Sequence, residues 1–233
     1  MNNPGENSRT VEFRFEADKN YFMREAFNAL RTNVLFCGTS VHTIAVTSCY
    51  AHEGKTTVSA EIARSLAEAG RHVLFIDADL RKSTTVGRYT DAHGITGLSQ
   101  LLSGQATLEE TIYHTQMPAL DVIFAGPFPP NPAEMAGGEP FRQMVREVSG
   151  MYDYVIIDTP PLGMVIDAAE MATVCDGVVL VINRGNVRYR VAQNVIAQLK
   201  KSGCRILGAV LNRPNKSSRK GIGYRGVYDQ AEK

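Results

Sequence analysis

The sequence holds no apolar run long enough to cross a membrane; its longest candidate, Val178 to Ile182, has the length of a strand. Its polar N-terminus lacks the apolar segment of a signal peptide. It carries no excess of one charge. The formal net charge is +1, which argues against a protein built mainly to bind nucleic acid. Nor is there any C-x-x-C spacing: Cys37, Cys49, Cys175 and Cys204 are scattered, as reduced thiols used as small apolar groups would be. Internal repeats and a linker-like middle are also missing. What is left is the expectation of a cytoplasmic globular protein, one that a partner could still bring to the inner face of a membrane. With 233 residues, 44% hydrophobic and 21% charged, it can bury a sizeable core.

The stretch His42 to Thr57, HTIAVTSCYAHEGKTT, organises the rest. Thr43 to Thr47 is a β-branched run that suits a buried strand. After Gly54-Lys55-Thr56-Thr57, Val58, Ile62 and Leu66 recur every fourth residue, the stripe of a helix. Strand, loop, Gly-Lys-Thr and helix make a phosphate loop. Backbone N–H groups and the positive helix end favour phosphate, Gly54 permits close approach, Lys55 supplies a point charge, and the Thr56 hydroxyl suits Mg²⁺. The general pattern would place glycine at Cys49, and His52 stands where a positive φ is plausible.

The rest of the chain alternates strands and helices. Residues 1–18 read as a mobile arm, Tyr21 to Phe36 as an amphipathic helix with Phe27, Leu30 and Val34 inward, and His72 to Ile76 as a second strand. Short helices are expected over Leu98 to Leu102 and Leu108 to Tyr113. A strand follows at Leu120 to Ala125, then a proline-rich loop, and helical patterns at Ala133 to Met135 and Pro140 to Val148. The spacing then gives a strand over Tyr154 to Ile157, another over Gly177 to Asn183, a helix over Arg190 to Lys201, and a last strand over Ile206 to Asn212. The fold class is α/β, a doubly wound and mostly parallel sheet with helices on both faces, occupying about residues 19–213 and followed by a basic tail over 214–233. Ligands in such sheets bind beyond the carboxyl ends of the strands, where all the acidic motifs fall.

Phosphoryl transfer requires a phosphate grip, Mg²⁺ and a proton acceptor. Thr56 and Asp158, the acid that closes a hydrophobic strand, are the natural metal pair. Asp77 and Asp79 follow the second strand two residues apart, so one can serve Mg²⁺ through water and the other accept a proton from an attacking hydroxyl. Arg81 is placed to orient a carboxylate or a phosphate.

Three motifs, Glu53-Gly54-Lys55-Thr56, VLFIDADLR at 73–81 and YVIIDTPP at 154–161, resemble those of the bacterial tyrosine kinases of capsule and exopolysaccharide synthesis in their free-standing form. EAFNALRTN from Glu25, GLSQLLSG from Gly97, AGPFPPNPAE from Ala125 and VLNRP from Val210 extend the similarity from about Phe22 to Arg213. The resemblance implies an ATP-dependent protein-tyrosine autokinase on a P-loop ATPase fold. Glu53, Gly54, Lys55, Thr56 and Thr57 would hold ATP, with Asn212 and Arg213 on the adenine side. Thr56, Asp79 and Asp158 would hold Mg²⁺, and Asp77 or Asp79 would serve the tyrosine hydroxyl, with Asp77 favoured. It also implies a membrane partner that activates the enzyme, and a ring in which the tail, here with Tyr224 and Tyr228, is phosphorylated by a neighbour. The family's ring motif E-x-x-R-x-x-R reads Glu25, Asn28, Arg31, so one arginine is replaced. Two other readings stand beside it: a partitioning or division-site ATPase switch, which would carry lysine at Tyr50, and a nucleotide-binding scaffold with little catalysis.

Overall fold

Eight strands form one sheet in the order β1-β4-β5-β3-β6-β2-β7-β8 in the computed structural model, which describes residues 9–15 and 21–212. The strands are β1 (Thr10–Val11), β2 (Thr43–Ser48), β3 (Val73–Asp77), β4 (Ile112–Thr115), β5 (Leu120–Ile123), β6 (Tyr154–Asp158), β7 (Gly177–Asn183) and β8 (Ile206–Asn212). Only β4 runs antiparallel to its neighbour β5; the other pairs are parallel. β2 lies between β6 and β7, so the loop that leaves its carboxyl end is flanked by the ends of both.

The helices are α1 (Tyr21–Leu35), α2 (Lys55–Glu68), α3 (Thr85–Arg88), α4 (Leu98–Leu102), α5 (Leu108–Thr111), α6 (Pro132–Gly137), α7 (Glu139–Ser149), α8 (Asp167–Ala172) and α9 (Tyr189–Lys201). Period-two alternation along the strands divides the core between the two faces of the sheet. Phe75 of β3 joins a cluster with Val58, Ile62 and Leu66 of α2, against which Phe27 and Leu30 of α1 pack. Its neighbours Leu74 and Ile76 face the other way, onto Phe141, Met144 and Val148 of α7. A third cluster joins Ala45, Val178 and Leu180 to Val195 and Leu199 of α9. The doubly wound α/β architecture is as expected.

Two parts depart from the sequence reading. Of the segment assigned to a mobile arm, residues 9–15 belong to the folded body: Thr10 and Val11 pair with His114 and Thr115, and Phe13 and Phe15 are buried. Phe13 stacks on Tyr89 with ring centroids 5.0 Å apart, and burying such a ring contributes about 2 kcal/mol. The helix expected to reach Tyr113 ends at Thr111 and turns directly into β4. A capping box of Thr107 and Glu110 starts that helix, but the alternation of Tyr113 and Thr115 inward suits a strand and overrides it. The kinked α3 and the short α8 were not anticipated from periodicity; neither spans two full turns.

Candidate active site

The loop between β2 and α2 has the backbone that its residues require. Among the described residues His52 is the one non-glycine with positive φ, at 63°, and Gly54 follows at 86°. A Cβ on Gly54 would overlap the Asn212 side-chain amide, so close approach as well as φ demands glycine there. Cys49, where the general pattern has glycine, turns its side chain into the cluster of Leu162, Ala168 and Ala169. Burial, and then the charge of Glu53, push its thiol up to about 11, so it behaves as an apolar filler.

Glu53 is buried inside the loop. Its carboxylate accepts from the Tyr50 N–H at 2.8 Å and from the Asn183 N–H of β7 at 3.0 Å, and its carbonyl accepts from Asn212 Nδ2 at 2.8 Å. Two of the residues assigned to nucleotide contacts, Glu53 and Asn212, thus hold the loop's shape against the ends of β7 and β8. The Thr57 hydroxyl accepts from Arg88 Nη2 at 2.8 Å. Arg213 lies outside the described residues.

At the centre, Lys55 Nζ donates to Asp158 Oδ1 at 2.8 Å and stands 3.9 Å from Asp79 Oδ2. Ser59, one turn along α2 from Lys55, donates to the same Asp158 oxygen at 2.8 Å. Asp79 shapes its own loop: Oδ1 accepts from the Arg81 N–H at 3.3 Å and the Lys82 N–H at 3.0 Å. Asp77 lies directly across the β3–β6 pair from Asp158 and is fully buried. It accepts from the Ser83 hydroxyl and from the Asp79 N–H at 3.2 Å. Burial first, and then the charge of Asp158, push the Asp77 carboxyl up to about 6, against the opposing pull of Ser83 and Lys55.

Arg81 forms a two-pronged pair with Asp167, at 2.6 and 3.1 Å, at the start of α8. The guanidinium therefore orients a carboxylate, as its type allows, and ties the loop after β3 to α8. On α1, Glu25 is exposed and accepts from Asn28, whereas Arg31 reaches inward to the Ser65 carbonyl of α2 at 2.9 Å. Tyr224 and Tyr228 lie outside the described residues.

The donor set fits a Mg²⁺–nucleotide. Asp158 Oδ2 is buried and has no hydrogen-bond partner, an arrangement that favours a cation or an ordered water beside it. Hard oxygens from Thr56, Asp79 and Asp158, with waters completing the shell, suit Mg²⁺.

The chain matches the AAA domain family over residues 41–203. It is 42% identical over 193 residues to the tyrosine-protein kinase CpsD of Streptococcus agalactiae, covering 83% of this chain and 84% of that one. This chain belongs to the bacterial protein-tyrosine kinase family. Its fold superposes on the kinase domain of the Escherichia coli tyrosine kinase ETK with a TM-score of 0.77 and 29% identity, covering 89% of this chain and 91% of that domain. The septum site-determining protein MinD from Pyrococcus horikoshii, solved with Mg-ADP, is similar at a TM-score of 0.64 and 30% identity, over 77% of this chain and 73% of that one. The P-loop ATPase fold is thus shared by kinases and division-site ATPases. In this kinase Tyr50, not lysine, stands early in the loop.

Sequence reasoning missed Ser59, Ser83, Arg88 and Asp167. Ser59 was within reach of it, four residues after Lys55 on a predicted helix. Asp167 depends on how the segments after β3 and β6 meet, Ser83 on how the loop after β3 folds back onto Asp77, and Arg88 on how α3 lies against α2, none of which a periodic pattern shows.

Proposed function

We propose that this kinase transfers the γ-phosphoryl group of ATP to tyrosines of its own C-terminal tail, Tyr224 and Tyr228, on a neighbouring copy. The observation that carries the reading is the paired but unequal carboxylates of Asp77 and Asp158. Asp158 is bound to the lysine of the phosphate loop, while Asp77 takes hydrogen bonds from neutral donors and is raised into the range of a working base. In the reaction the tyrosine O–H gives its proton to Asp77, the phenolate oxygen bonds to phosphorus, and the bond to the ADP oxygen breaks. Mg²⁺, when bound by Thr56, Asp79 and Asp158, supplies charge neutralisation of the phosphates. Lys55 holds the outer phosphates, and Ser59 fixes the Asp158 carboxylate.

Among the described residues no helix is long and apolar enough to cross a membrane. In our reading the kinase is cytoplasmic, and a membrane protein of the capsule or exopolysaccharide machinery recruits and activates it. Copies assemble through the α1 face that bears Glu25. Because Arg31 is engaged with α2, its part in a ring would be to set the helix rather than to reach a neighbour.

Purified protein incubated with ATP, Mg²⁺ and the cytoplasmic segment of such a partner is expected to gain phosphate on Tyr224 or Tyr228, read by mass spectrometry. A Tyr224→Phe/Tyr228→Phe protein should lose that signal. ATP hydrolysis without phosphotyrosine would make the chain an ATPase switch instead.

A further inference from the structure

We infer that Ser83 is a catalytic residue, a hydroxyl relay that carries the tyrosine proton to Asp77. The inference rests on the kinase reading above and deepens it, because it names the group that the acceptor tyrosine meets first.

Asp77 cannot itself touch a substrate. It is fully buried at the carboxyl end of β3, and both of its oxygens are occupied. Oδ1 accepts from the Asp79 N–H at 3.2 Å, and Oδ2 accepts from the Ser83 hydroxyl. Ser83 is only half-buried and lies between exposed Lys82 and Thr84, so it reaches from the hidden carboxylate toward the surface. Thr85, the other hydroxyl of this loop that acts on Asp77, is itself buried and opens no such path.

The hydrogen bonds of Ser83 have the polarity that a relay needs. A serine hydroxyl has one hydrogen to give and two lone pairs to offer. An ionised carboxylate only accepts, so the Ser83 hydrogen points inward to Asp77. One lone pair takes the Thr85 N–H at 3.3 Å. Among the described residues nothing donates to the second, and an approaching phenol O–H fills that place.

The step balances. The tyrosine O–H bond breaks as its hydrogen bonds to Ser83 Oγ, while the Ser83 hydrogen passes to Asp77 Oδ2. The phenolate oxygen bonds to the γ-phosphorus, and the bond to the ADP oxygen breaks. Ser83 ends neutral, Asp77 ends protonated, and no further reactant is required. Once the product has left, the two transfers run in reverse to water and reset the carboxylate.

The test is the single-turnover rate of phosphotyrosine formation on Tyr224 and Tyr228, measured with the full chain under the conditions given above, for the parent, Ser83→Ala and Ser83→Thr. Thermal melting checks that each variant is folded. Ser83→Ala is expected to slow the reaction about a hundredfold while its affinity for Mg-ADP stays within about threefold of the parent. Ser83→Thr, which keeps the hydroxyl, should recover most of the rate. In mixtures of H2O and D2O the parent's rate should follow a bowed line, because two hydrogens move together. A straight line or no isotope effect would overturn the proposal, and this readout decides alone should Ser83→Ala fail to fold. A Ser83→Ala rate within about threefold of the parent would overturn it too, as would a loss matched by weaker Mg-ADP binding, which would show Ser83 only shaping its loop. No phosphotyrosine from the parent would instead remove the kinase reading itself.

Discussion

The carboxyl ends of β3 and β6 carry the same residue type at matched positions, yet the two aspartates do different things. Asp77 and Asp158 face each other across adjacent strands and are equally inaccessible. Asp158 faces α2, whose first turn delivers an ammonium and, one turn later, a hydroxyl. Asp77 faces the loop of 78–85, which delivers a hydroxyl and a backbone N–H but no cation in hydrogen-bonding contact. On the proposed reading, the donor opposite each carboxylate, rather than its burial, divides metal-side chemistry from proton transfer. It also explains why a pair this close is tolerated: one member is neutralised by its partner, and the other is kept close to protonation.

The comparison breaks most completely if the cation is removed. Lys55→Met should lower phosphotyrosine formation by about a thousandfold or more, since the charge that holds the outer phosphates is lost. It should also destabilise the protein, by about 3 kcal/mol in chemical denaturation, because Asp158 is left buried without its counter-ion. Asp77→Asn comes next. The rate of tyrosine phosphorylation should fall by roughly a hundred- to ten-thousandfold while ADP affinity, measured by titration, stays within a few-fold of the parent. If Asp77 were a metal-side residue like Asp158, affinity for Mg-ADP would fall with the rate.

A third experiment sharpens the contrast through pH. The folded-state value of Asp77 lies above its ordinary value, so the native protein binds this proton more tightly than the unfolded chain does. Without nucleotide or Mg²⁺, its contribution to stability is therefore greatest at low pH and declines as pH rises from about 4 through about 6. Burial first, then the charge of Asp158, raise the group, and Ser83, Thr85 and Lys55 pull against them; together they set that window. Urea midpoints measured across it should fall less steeply for Asp77→Asn, which should also be the more stable protein at neutral pH. The smallest effect is expected for Ser59→Ala, which removes one hydroxyl from Asp158 and leaves Lys55 in place. It should cost about 1–2 kcal/mol in denaturation and slow the reaction only several-fold.

Much of this site was legible because its parts are local. A β-branched run, Gly54-Lys55-Thr56 and a four-residue apolar spacing specify strand, loop and helix within 24 positions, and His52 was identified as a residue able to take positive φ. Asp77 and Asp158 were legible as acids that close apolar strands. What they hold was not. The pairing of Arg81 with Asp167 spans 86 positions, and that of Glu53 with Asn183 spans 130. The sequence reading left Arg81 to orient a carboxylate or a phosphate and, through the resemblance, gave Glu53 to the nucleotide; in the structure both charges join loops. β1 escaped for a related reason. Two residues are too few for a periodic signal, and its partner β4 was hidden in a helix-favouring context.

That same β1 has a consequence for how the protein is made. The Phe13 N–H finds its acceptor on Gln116, 103 positions later. A ribosome must therefore deliver those 103 positions before this segment has its partner, and until then Phe13 and Phe15 are sticky surface. β1 therefore waits for β4, while β8, at the opposite edge of the sheet, is the last strand to arrive.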